Sequence, residues 1–238
     1  MRLSSVTKGL AVACAVVACS YVTLRADYHN FALQFSAASG SLATGPAIDQ
    51  NDNLRMEALV RYDGPSENGG ALLYNGNGCC NGWGVVLYGT NAGANAGRLT
   101  IVAGGVTIAD TQQPMTLPVG EWQRIRVESR GQIVTVSFPD KTPGPQFSYG
   151  IVSRNDLNFE APSTFTIGEG FNGLIDEVTV TKLDSPNTLL ESWGFNEGTG
   201  NSATGVNGGV LSLTNTSWVS LSQDITIKPK LPTAILHR

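Results

Sequence analysis

The chain has 238 residues, a hydrophobic content of 41%, a charged content of only 14%, 28 Gly and 11 Pro. So many breakers disfavour helical bundles and coiled coils and exclude collagen-like, disordered and multi-pass membrane classes, while the length fits one all-β domain of about 200 residues with a sizeable core. The formal charge of −4, from 15 basic and 19 acidic residues, supplies no cationic footprint for phosphate backbones and argues against a nucleic-acid partner.

Arg2 and Lys8 precede an apolar run from Gly9 to Ala18, and small residues follow, which is the order of a secretory signal peptide. Residues 1–26 are expected to leave, by cleavage after Ala18 or after Ala26. Alternatively, Val16-Val17-Ala18-Cys19 resembles a bacterial lipobox and would place a lipid on Cys19. An uncleaved anchor from Gly9 to Leu24 falls short of the roughly 20 residues a membrane helix needs. The expected product is a secreted chain, or one lipid-anchored at the cell surface, with no transmembrane span. Its domain would cover residues 27–222, followed by a tail over 223–238 that carries Pro229 and Pro232.

Past the leader the dominant period is two, the repeat of a strand with one buried face. Phe31, Leu33 and Phe35 share one side of a first strand. Leu54, Met56, Ala58, Val60 and Tyr62 share one side of a second, whose other side carries Arg55, Glu57, Arg61 and Asp63. Further strands are predicted at Ala71–Tyr74, Gly84–Tyr88, Leu99–Ala103 and Val106–Ala109, separated by Asn/Gly clusters of turn chemistry. Arg124–Ser129 and Gln132–Phe138 flank Arg130-Gly131 as a two-residue hairpin. Thr164–Ile167, Leu174–Thr181, Leu190–Phe195 and Val210–Leu213 complete the set. Short strands at regular spacing, with no helical period between them, predict an all-β, two-sheet antiparallel β-sandwich or jelly roll. Its core is expected to unite Phe35, Met56, Val60, Phe165, Ile167, Val178, Trp193 and Leu211.

Several segments resemble a known family. Ala32-Leu33-Gln34-Phe35, Met56-Glu57-Ala58-Leu59-Val60-Arg61 and Gly120-Glu121-Trp122-Gln123-Arg124-Ile125-Arg126-Val127 are similar to successive strand signatures of the laminin-G-like jelly roll. Ile167-Gly168 with Phe171-Asn172-Gly173-Leu174-Ile175-Asp176-Glu177-Val178 resembles that family's "fnGlIDEv" strand. Trp193-Gly194-Phe195-Asn196-Glu197-Gly198-Thr199-Gly200, ending at Ser217-Trp218-Val219, resembles its "W-F-x-EGsG…W" element. The resemblance spans about residues 30–220 and implies the concanavalin A-like superfamily, which holds binders, adhesion modules and hydrolases, so it speaks to fold before function.

Paired-carboxylate catalysis in such a fold needs acids at alternating strand positions on one face. Here Asp176 and Glu177 are adjacent, and Glu191 and Glu197 are separated by Gly194, so no such ladder exists and no catalytic residue is assigned. His29 and His237, near opposite ends, give no zinc or Ser-His-Asp site. Asp176 shares parity with Val178 and Val180 and is expected on the core-facing side. There it would either hold a structural calcium ion, with help from Asp49 or Asp52, or cap backbone amides or pair with Arg.

For sugar binding, Tyr74, Asn75, Asn77, Asn81 and Trp83 combine aromatic faces with amides. Alternatively, Trp83 starts a strand beside Val85 and Leu87 and is core. Trp193, sharing parity with Phe195, reads as core. Trp122 shares parity with Arg124 and Arg126 and faces outward unless a bulge intervenes. Cys79 and Cys80 are the only cysteines outside the leader and form either a vicinal disulfide or two free or intermolecular thiols. Asn215-Thr216-Ser217 is a sequon for N-glycosylation.

The resemblance implies a secreted or surface-attached, non-catalytic module whose partners are glycans, extracellular matrix or cell-surface proteins. A structural or adhesion subunit contacting other proteins is the second class, and a polysaccharide hydrolase or lyase the third.

Overall fold

The computed structural model describes residues 31–48, 53–76, 82–103, 106–107, 115–130, 133–141, 146–150 and 164–221. In chain order its strands are β1 Phe31–Phe35, β2 Leu42–Pro46, β3 Leu54–Tyr62, β4 Gly69–Asn75, β5 Trp83–Tyr88, β6 Leu99–Ala103, β7 Val106–Thr107 and β8 Trp122–Arg130. They continue as β9 Ile133–Ser137, β10 Gln146–Gly150, β11 Thr164–Glu169, β12 Gly173–Lys182, β13 Thr188–Trp193, β14 Ser202–Thr204, β15 Val210–Thr214 and β16 Ser217–Ser220. They form two antiparallel sheets packed as a sandwich of the jelly-roll type. The first runs β10-β9-β8-β3-β12-β1-β16, with β13 also on β12, and the second runs β14-β15-β2-β11-β4-β5-β6-β7.

Alternation decides which side of each strand is buried. Leu54, Met56, Ala58, Val60 and Tyr62 of β3 all face the core, while Arg55, Glu57 and Arg61 lie on the outer face, as their period predicts. The eight expected core residues, from Phe35 to Leu211, fall in one buried cluster. Phe165 of the second sheet stacks on Trp193 of the first, with centroids 5.7 Å apart and planes 15° from parallel. Gly168 has φ +73°, and a Cβ there would lie 2.3 Å from the Phe35 ring, so this position admits only glycine without repacking.

Four strands were not foreseen: β2, β10, β14 and β16. Arg130 pairs with Ile133 in the β8–β9 ladder, so Arg130 belongs to the strand and not to the turn in which it was expected. The β3–β8 register runs without a shift from Leu54↔Ser129 to Arg61↔Trp122. No bulge turns Trp122 inward, and it stays on the outer face beside the arginines.

Strict parity fails in β12. Ile175 pairs with Leu33 and with Val60 and faces the core, so the next residue, Asp176, opposite Leu59, lies on the outer face and not on the core-facing side. The register then shifts between Asp176 and Thr179, with Glu177 at φ +49°, which returns Val178 to the core. At this point the strand changes partners along one edge: β1 pairs with Gly173–Ile175, and β13 with Val178–Lys182.

Candidate functional site

The outer face of the second sheet carries the candidate site. Ala43, Phe165, Ile167, Val85 and Leu87 point into the core, so their neighbours Leu42, Thr166, Val86 and Tyr88 point away from it. With Ala71 these residues line an open cleft of about 1140 Å³. Its walls are the loop 65–68, the turn Glu169–Asn172 and the short helical turn Ala37–Ser39. The exposed or half-buried polar side chains it offers are Glu67, Asn68, Glu169 and Asn172, with the half-buried Tyr88 as its aromatic, whereas Thr166 is buried and turns its hydroxyl to Gly76 O at 3.4 Å.

Backbone bonds hold these walls in place. Thr90 N–H donates to Ser66 O at 2.9 Å and Asn91 N–H to Glu67 O at 3.0 Å, while the Asn91 amide donates to Asn68 Oδ1 at 3.0 Å. Asn172 Oδ1 accepts Ala37 N–H at 2.9 Å, and its carbonyl accepts Asp63 N–H at 3.0 Å. Glycine makes the close approach possible, because a Cβ on Gly70 would lie 2.0 Å from Glu169 O. A preformed, concave surface of this size with one aromatic, two amides and two carboxylates suits a polar ring ligand.

The segment expected to bind sugar lies elsewhere in function. Tyr74 has no exposed surface and donates its hydroxyl to Gly82 O at 3.3 Å. Asn75 is equally buried and clamps Ile48, its Nδ2 donating to the carbonyl at 3.0 Å and its Oδ1 accepting the amide at 3.3 Å. Trp83 belongs to the core cluster. A fully buried ring has no face for a sugar, so Tyr74, Asn75 and Trp83 help build the second sheet. Asn77, Cys79, Cys80 and Asn81, with either cysteine pairing, lie outside the described residues, as does Cys19. The cleft was missed because its residues come from four separated segments, none with a compositional signal of its own.

Asp176 is buried, and its Oδ1 accepts the Glu177 N–H at 2.7 Å, the donor that the bulge displaces from the ladder. Asp49 and Asp52 lie outside the described residues, and among the described residues no group of three His, Cys, Asp or Glu is placed to hold a metal ion. Glu177 instead pairs with Arg124, which also meets Asp140 at 3.6 Å. Burial opposes the Arg124 charge, but the Glu177 hydrogen bond and the surrounding carboxylates outweigh it and raise its pKa. Asn215 is exposed at the connection between β15 and β16, with φ +50°, and its Nδ2 donates to Ser39 O at 2.8 Å.

Similarity to known proteins enters here. No protein-family model matches this chain. No curated protein matches it either. Among solved structures it is similar to a "putative carbohydrate binding protein" from Bacteroides ovatus, at 13% identity and a TM-score of 0.54, over 81% of this chain and 60% of that one. The chain thus spans less than two thirds of that protein's length. It is also similar to a heptameric SAP-like pentraxin from Limulus polyphemus, at 13% identity and a TM-score of 0.45, over 79% of this chain and 96% of that one. What the Bacteroides ovatus likeness shows, at this identity, is the sandwich fold.

Proposed function

We propose that the chain is a non-catalytic, laminin-G-like carbohydrate-binding module acting outside the cell, and that it holds a glycan in the cleft on the outer face of the second sheet. The cleft itself carries the reading: an open concavity of about 1140 Å³ lined by Tyr88 of the sheet and by Asn68 and Asn172 of its walls. A pyranose has an apolar face for the Tyr88 ring and hydroxyls for the amides. The carbohydrate-binding description of the similar Bacteroides ovatus protein agrees with this assignment, and the N-terminal leader agrees with export, which intact mass of the exported protein would test by a start near residue 27 or a lipidated Cys19.

A glycan array on the wild type and on Tyr88→Ala, with reducing ends measured on the same samples, tests the binding. Retention that Tyr88→Ala lowers at least tenfold, without new reducing ends, is expected. Retention that this variant leaves intact would move the site elsewhere. Release of reducing ends would make Glu67 and Glu169, the two carboxylates of the cleft, candidate acid and base of a hydrolase.

A further inference from the structure

We infer that the cleft selects glycans by charge, accepting neutral or amine-bearing chains and turning away those that carry carboxylates or sulfates; the inference rests on the cleft being the carbohydrate site. Among the described residues that line it, none is Lys, Arg or His, while Glu67 and Glu169 are both exposed acids. Neither has an ion-pair partner among the described residues. The outer face of the first sheet differs: there Glu57, Glu128 and Glu177 each meet an arginine. The protein therefore neutralises its acids on one face and leaves them uncompensated in the cleft.

An anionic sugar entering this cleft meets two like charges and no counter-ion, and would bury part of its own charge unpaired. A neutral hydroxyl instead donates to a carboxylate in a charge-assisted hydrogen bond, and an ammonium group does so with added Coulomb attraction. Glu67 and Glu169 are thus specificity-determining residues. The net charge of −4 adds repulsion of the same sign at longer range.

The test uses the full protein and the neutral polysaccharides that the array retains, each beside its sulfated derivative, with chitosan as the amine-bearing probe. Sulfation is expected to weaken retention at least tenfold at about 0.05 M salt, and the gap should narrow at about 0.5 M, where the Debye length falls to a few ångströms. Glu67→Gln with Glu169→Gln should bring the sulfated and neutral affinities closer together and remove any advantage of chitosan. An unchanged melting temperature would show that the double variant is folded. Sulfated chains retained as strongly as neutral ones by the wild type at low salt would overturn the charge inference and leave the carbohydrate site standing. Retention of no glycan at all would overturn the carbohydrate reading and the inference with it.

Discussion

A single carboxylate organises the turn between β14 and β15. Glu191 is buried, its Oε1 accepting the amides of Ser192 and Asn207 at 2.9 Å each and its Oε2 that of Gly209 at 2.6 Å. Charged acceptors strengthen such bonds, and removing them strands three donors. Glu191→Ala should lower unfolding free energy by about 3–5 kcal/mol in urea denaturation, and Glu191→Gln, which keeps one acceptor oxygen, by less. Tyr62 is the converse case, a core hydroxyl with no hydrogen-bond partner among the described residues. Burial pushes its pKa from 10 up to about 12. The folded chain therefore holds that proton more tightly than the unfolded chain, and the resulting stability is complete below pH 10 and lost as pH climbs from 10 toward 12. Tyr62→Phe should melt at or above the wild-type temperature at pH 7 and lose less stability over that alkaline range, read by thermal melts.

At the scale of elements, β3, β8 and β12 carry a ladder of cross-strand ion pairs over the outer face of the first sheet. Arg55 of β3 meets Glu128 of β8 at 2.5 Å and Arg126 of β8 meets Glu57 of β3 at 2.9 Å, while Arg130 meets Glu128 at 3.3 Å within β8 itself. Burial would raise the Glu128 pKa, but its hydrogen bonds and charge interactions with Arg55 and Arg130 outweigh that and lower it. Its contribution to stability is thus complete above the ordinary carboxylate range and lost as pH falls through the lowered folded value. Glu128→Gln should be less stable than wild type at pH 7, by about 1 kcal/mol, and should lose less stability than wild type between about pH 5 and 3. The same elements explain what could be read from the chain. The alternation of β3 is long and interrupted only at Leu59, so its face and core were legible, whereas β2 and β16 are short runs with one or two apolar residues each and show no period. The bulge in β12 was illegible because Glu177, a residue with no preference for positive φ, sits at +49° and resets the parity by which Asp176 had been placed. The cleft joins residues 37–42, 65–71, 86–88 and 166–172. Local composition instead favoured the amide-rich run around Tyr74, whose described members proved to be support.

The chain as a whole crosses repeatedly between the sheets: β1 lies in the first, β2 in the second, β3 in the first and β4 in the second, and β11, β12, β15 and β16 alternate in the same way. Neither sheet can leave without dragging the connections of the other, and both inner faces contribute to one buried cluster. Trp83 reports on the second sheet and Trp193 on the first, and both are buried in that cluster. If the core melts as a unit, fluorescence and far-ultraviolet circular dichroism should give one midpoint in denaturant. Trp83→Phe and Trp193→Phe each remove one reporter and part of the core, so each should shift that midpoint downward while its two probes still coincide. Separated midpoints in either variant would mean that one sheet retains structure after the other has opened, and would reject a shared core as the source of stability.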